Sequence, residues 1–276
     1  MLQTLPAAKP VYGVTSLDNQ LYVLCCRLKS PEQIAIYDID SYQLRRYITV
    51  PGLGVGNDLV ACALNRCAYV SDGSNNCIHR VGLTYGSDVT KWPVNDDPGF
   101  ISITDTHAVL VTCAVVRKIK EFSTDGKLKR EIQLAQDVVS PNHAIQLSNG
   151  QFVVCHGRFF DAVHRVCLIS SDGKVVSSFG GEKGSGSRQM NNPHHMAVDS
   201  SGIVFVADLN NRRILTLSPS MSLVCEVVSR EQLDCSPRRL CLDDNRRRLY
   251  VADKDKFISG RVVVIEVDIE LAWPIA

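Results

Sequence analysis

An aromatic residue or leucine followed by valine recurs at the centre of a short apolar run. The pairs are Tyr22/Val23, Tyr69/Val70, Leu110/Val111, Phe152/Val153, Phe205/Val206 and Tyr250/Val251, spaced by 47, 41, 42, 53 and 45 residues. A period near 45 is the length of one four-stranded propeller blade, a unit that cannot bury both faces alone. The long fourth interval holds the glycine- and serine-rich stretch 180–187, a loop by composition. No segment carries an apolar stripe at helical period over ten or more residues. The expected fold is all-β: one six-bladed β-propeller of four-stranded antiparallel blades over 1–276, with blades at about 11–50, 54–95, 96–136, 138–189, 190–233 and 234–270.

The fifth unit is the clearest. Pro193 opens a short apolar run, Asp199 to Gly202 make a turn, and Ile203 to Ala207 form a second strand. Asp208 to Arg213 form a polar loop before two further strands. Short β-rich runs divided by Gly, Asn, Asp and Ser clusters are hairpin signals. The sixth unit lacks a clear outer strand. Either 269–275 supplies it, or 3–8 does by pairing across the ring closure, and the second is preferred because a non-local strand holds the ring shut.

Composition narrows function by exclusion. Apolar residues make up 45% of the chain and charged residues 21%, which excludes a disordered or fibrous chain. Formal net charge is +1, so partners must be sought in where the charges sit. No run of about 18 apolar residues occurs, so no membrane partner is expected. The first ten residues carry no signal-peptide pattern. Eleven cysteines, most in strand-like runs, read as buried thiols in a reducing compartment, and a cytoplasmic location is expected.

The segment 192–217 (NPHHMAVDSSGIVFVADLNNRRILTL) resembles an NHL repeat: a proline, an apolar strand, an Asp-x-x-Gly turn, Val-Ala-Asp, Asn-Asn-Arg, then isoleucine. The sixth unit fits fairly, through Pro237, Asp243, Val251 to Asp253 and Arg261. The others fit more by spacing than by residues. NHL propellers are similar to the C-terminal platforms of TRIM-NHL ubiquitin ligases, where they bind RNA or protein. The resemblance implies a non-catalytic recognition platform needing no cofactor, with RNA favoured and protein next, and RING and B-box domains upstream in a full-length chain.

Propeller topology puts the entry to each inner strand and the loop between second and third strands on one face, where function is carried by loops. That face is expected to be basic. The binding residues expected there are Arg117, Lys118, His143, Arg158, Phe159, Phe160, His194, His195, Asn211, Arg212, Arg238, Arg239 and Lys254. Arg27, Lys29, His79, Arg80, Arg213 and Lys256 add to the same loops. Cations that track phosphates and rings that stack on bases suit single-stranded nucleic acid. A basic patch also suits an acidic protein segment. Arg213 has a competing structural role, bracing the turn through Asp208, and Phe159 with Phe160 has one as loop packing.

Enzyme readings rest on the channel. Propellers that resemble the peptide-amidating lyase place zinc histidines after the proline entering an inner strand; only His194 matches. By strand alternation His143 and His195, one residue later, are expected to point elsewhere. Catalytic zinc takes about three protein ligands. A calcium-lactonase resemblance would draw on Asn57, Asp58, Asp96, Asp97 and Asn142, which Arg238 and Arg239 oppose.

Overall fold

The computed structural model describes residues 2–7, 10–25, 33–84, 86, 88–233, 236–255 and 259–267. Arg27, Lys29, Lys256 and the segment 269–275 lie outside them, as does the side chain of Lys254.

The chain forms six four-stranded antiparallel sheets. The first blade holds β2 (Val11–Leu17), β3 (Gln20–Cys25), β4 (Gln33–Asp38) and β5 (Leu44–Thr49). The second holds β6 (Gly56–Cys62), β7 (Cys67–Asp72), β8 (Cys77–Gly82) and β9 (Val89–Pro93). The third holds β10 (Pro98–Ile103), β11 (Val109–Cys113), β12 (Lys118–Phe122) and β13 (Leu128–Gln133). The fourth holds β14 (Pro141–Gln146), β15 (Phe152–His156), β16 (Val163–Ile169) and β17 (Val175–Glu182). The fifth holds β18 (Pro193–Val198), β19 (Val204–Asp208), β20 (Arg213–Leu217) and β21 (Leu223–Val228). The sixth combines β22 (Pro237–Asp243), β23 (Arg248–Asp255) and β24 (Ser259–Glu266) with β1 (Leu2–Ala7), so its outer strand comes from the other end of the chain. Leu2 pairs with Ile265 and Ala7 with Gly260.

Each recurrent aromatic–valine pair lies on the second strand of its blade, and every one of these residues is buried. Both faces of that strand meet a neighbouring blade, so it reads as a continuous apolar run rather than an alternating one. The outer strands alternate or are exposed, as in β5 and β13. Six apolar clusters result, one at each contact between successive blades, including the contact of the sixth with the first. Gly173 illustrates the turn chemistry. Its φ is +88°, and a Cβ there would strike the carbonyl of Gln133.

The described cysteines are free thiols, and seven of them are buried: Cys25, Cys62, Cys67, Cys77, Cys113, Cys155 and Cys167. No helix among the described residues is long and apolar enough to cross a membrane.

Candidate functional site

Every inner strand breaks register just after its first residue. The break lies between Val11 and Gly13, Gly56 and Asp58, Pro98 and Ile101, Pro141 and His143, Pro193 and His195, and Pro237 and Arg239. A bulge inserts one extra residue and turns the next side chain relative to plain alternation. The expectation that His143 and His195 point elsewhere is therefore corrected. The bulge aims Asp58, Phe100, His143, His195 and Arg239 at the propeller axis, and the first blade contributes Gly13 at the same level.

The contacts show this directly. His195 Nε2 lies 3.3 Å from Asp58 Oδ2, joining the fifth blade to the second across the axis. Arg239 sits over the Phe100 ring, 3.8 Å from its centroid, joining the sixth to the third. Arg239 Nε donates to Asp58 Oδ1 at 3.2 Å, and His143 stacks on His195 with centroids 3.8 Å apart. Side chains thus span the channel at this level. Gly13 adds nothing because it cannot: a Cβ there would lie 2.6 Å from Leu59 Cβ.

The ring is stitched to the backbone in one direction. Ile101 N–H donates to Asp58, Met196 N–H to His143 Nδ1, and Leu240 N–H to His195 Nδ1, each from the following blade. These bonds fix the tautomers. With Nδ1 accepting, His143 Nε2 donates to the Ile101 carbonyl and His195 Nε2 donates to Asp58. In two blades the extra residue of the bulge repeats the stitch: Asn57 Nδ2 donates to the Pro98 carbonyl and Asn142 Nδ2 to the Pro193 carbonyl.

Charge in the ring balances. Burial alone would raise the Asp58 pKa, but His195 and Arg239 reverse it and hold the carboxyl well below the usual range. Burial and His195 push His143 well down, and burial pushes His195 down against the pull of Asp58. Burial lowers Arg239 to about 10, so it stays a cation at neutral pH. One anion, one cation and two neutral imidazoles fill the axis. Asp58, His143 and His195 bring metal-type donors together, but their atoms are already committed and Arg239 stands among them, so this set does not suit a metal.

Above the ring lies a cavity of about 520 Å³. Phe100, Asn142 and His194 line it below, with Val55, Ala114 and Phe159 at its rim. Arg158 reaches it with Nε donating to Asn142 Oδ1 at 2.7 Å, while its terminal nitrogens have no partner among the described residues. His194 Nδ1 lies 2.9 Å from the Arg238 carbonyl, to which it donates when it carries the hydrogen, and 3.0 Å from Arg239 Nη1, from which it accepts when it does not. Burial, then Arg239, pushes its pKa well down.

The remaining expected residues separate by burial. His143, His195 and Arg239 sit inside the channel rather than on the loop face. Arg117 donates to the Gln136 carbonyl, and Lys118 pairs with Glu131 at 2.6 Å. Arg213 Nε pairs with Asp208 at 2.8 Å, the bracing role, and Asn211 donates to the same carboxylate. Arg212 is exposed, Arg238 half-buried. Phe159 is 57% exposed and Phe160 fully so. Their turn is nevertheless held firmly. His164 Nε2 donates to the carbonyls of Arg158 and Asp161, Arg158 N–H donates to Asp161, and Lys183 Nζ donates to the Phe159 carbonyl. Phe100, Val55 and Gly13 escaped the sequence reading. The signal for Phe100 was present: like His143, His195 and Arg239, it stands two residues after the proline that enters its strand.

His156, buried at the end of β15, is driven down to about 4 by burial and Arg165. Its folded value lies below the unfolded one, so the unfolded chain binds the proton first and stability falls as pH drops from about 6.5 to 4. Replacing His156 with leucine should remove roughly 3 kcal/mol of that acid loss. Urea midpoints at neutral and acid pH measure it, and an equal drop in both proteins would contradict the assignment.

No family model matches the chain, and no curated protein matches it by sequence. Solved structures share its fold. The chain is similar to virginiamycin B lyase from Staphylococcus aureus, with TM-score 0.66, 12% identity, and 96% of this chain and 99% of that one covered. It is similar to hydrazine synthase of Kuenenia stuttgartiensis, with TM-score 0.66, 14% identity, and coverage of 95% and 96%. It is also similar to the β-propeller domain of Cps50 (Swd1) from Myceliophteria thermophila, with TM-score 0.61, 10% identity, and coverage of 94% and 83%. At these identities the likeness is one of fold.

Proposed function

We propose that the chain is a non-catalytic recognition platform, of the kind its NHL-like repeats suggest, and that it binds single-stranded RNA across the channel mouth. The observation that carries this reading is the pair Phe159 and Phe160, exposed on a turn that hydrogen bonds hold in place. Exposed rings on a rigid support are stacking platforms rather than failed core residues. Arg158 beside them and exposed Arg188 and Arg212 on the adjoining loops supply cations for phosphates.

The lyase among the similar folds motivates a second reading, chemistry on a small ligand in the cavity. His194 would be its base, because His143 and His195 have both nitrogens engaged. Its depressed pKa makes it a poor proton acceptor at neutral pH, which favours binding over turnover.

Fluorescence anisotropy with labelled single-stranded RNA at two salt concentrations tests the proposal. Phe160→Ala should weaken binding about 5- to 150-fold, the worth of one stacked base. Arg212→Glu should weaken it and flatten its salt slope. No binding at low salt, or equal affinity for both variants and the parent, would remove the RNA reading.

A further inference from the structure

Two opposite charges share the cavity above the axial ring without meeting. Asp97 stands just before β10 and Arg158 just after β15, and both line the space. Asp97 is exposed and forms no hydrogen bond or ion pair among the described residues. Of the Arg158 side-chain nitrogens only Nε is engaged, by Asn142. Burial lowers the Arg158 pKa, and Asp97, then Asp161, pulls it back, so the two charges sense each other across the cavity. Gly73 keeps this wall open. A Cβ there would lie 2.5 Å from Asn57 Nδ2 and 3.3 Å from Asp97 Oδ1.

A third group faces the same space. Asn192 lines the cavity at 1% exposure, and its Oδ1 has no hydrogen-bond partner. Leaving a buried amide unpaired is costly, and the great majority of such groups find a partner. The cavity therefore offers an acceptor-only carboxylate, a donor-only guanidinium and an amide that can do both. A phosphate would meet Asp97, and a metal ion would meet Arg158. An apolar ligand would leave both charges without a partner. A neutral, flat ligand with a donor edge beside an acceptor edge satisfies both. Phe100 and Phe159 supply apolar surface for its ring, and about 520 Å³ is within the range of small-ligand sites.

We propose that this cavity takes one guanine base of the bound RNA, with its N1 and N2 hydrogens on Asp97 and its O6 and N7 on Arg158. Such a pocket presupposes that the platform binds RNA, and it adds a base preference at the channel mouth. Guanine alone among the four bases presents two adjacent N–H groups to a carboxylate. Adenine and cytosine set a ring-nitrogen lone pair beside their amino group, and uracil flanks its N–H with two carbonyls. Each of these turns an acceptor towards one carboxylate oxygen. The planar fork of arginine reads O6 and N7 together. Carboxylate and guanidinium are then held apart by the base, as two groups must be that line one cavity and do not pair. The ribose hydroxyl, which donates and accepts, gives Asn192 its partner.

Fluorescence anisotropy with oligouridine RNA carrying one central guanosine, one central inosine or neither tests the pocket. Guanosine should tighten binding about 5- to 150-fold over uridine. Inosine keeps O6 and N7 but lacks the N2 amino group, and it should lose most of that gain. Asp97→Asn should bring the guanosine-to-inosine ratio towards one. Arg158→Met should weaken both alike, because both keep the edge that arginine reads. Equal affinity for the three RNAs would overturn the guanine pocket and leave the RNA platform standing. A preference that survives Asp97→Asn would put the guanine elsewhere and overturn it too. Failure of all three to bind would instead remove the RNA reading, and the pocket with it.

Discussion

Removing residues 2–7 should leave a protein that no longer melts as one cooperative unit and that aggregates on concentration. β1 pairs along its whole length with β24, and Leu5 is buried among Val11, Val262 and Val264 of the first and sixth blades. Without it, β24 becomes an open edge carrying apolar side chains, a template for pairing with other chains. The milder change Leu5→Ala should cost about 2–5 kcal/mol, a fall of roughly 5–15 °C in Tm for a domain this size. A synthetic peptide of residues 1–10 added to the truncated protein should restore the cooperative melt. A truncated protein with an unchanged Tm would show that the ring does not depend on this strand.

Arg239→Met should be nearly as damaging, by about 3–5 kcal/mol, because it strands a buried carboxylate. The pH dependence separates this from a packing defect. In the parent, the folded pKa of Asp58 lies below its unfolded value, so its contribution is present above about 3.9 and is lost as pH falls below that. His143 and His195 also have folded values below their unfolded ones, so their part is lost as pH falls from about 6.5. In Arg239→Met, burial raises the Asp58 pKa above its unfolded value, and protonation then relieves the fold. The stability gap between parent and variant should therefore narrow towards acid pH. Asp58→Asn combined with Arg239→Met should cost less than the two changes summed. A gap that is constant with pH would mean that Arg239 matters only as volume over Phe100.

The blades were legible because each second strand is enclosed on both sides and carries its aromatic–valine pair as an uninterrupted apolar run. The axial ring was not, for a local reason. A bulge changes which way a side chain points without changing the residues that flank it, so period-two reasoning turned His143 and His195 the wrong way. Cross-axis partners such as Asp58 and His195 lie far apart in the chain, and no local pattern pairs them. Reading charges by loop membership placed Arg213 and Arg239 with Arg212, although Asp208 and Asp58 hold the first two inside. Phe159 and Phe160 stood between two readings in the sequence, and the structure leaves both rings exposed. Asp97 and Arg158 look like unrelated loop residues until the ring sets them on one cavity.

Linear repeat proteins are well described by nearest-neighbour energetics, in which any unit can be swapped for another of its kind. The Asp58–His195 and Arg239–Phe100 contacts break that independence, because each couples blades that never touch edge to edge. Blades here are consequently not interchangeable parts. Exchanging the second for a copy of the fifth would keep every neighbour interface plausible and still set a histidine against His195 where an anion is required. In any lineage of such chains Asp58 must change together with His195, and Phe100 with Arg239, although each pair stands on opposite sides of the ring.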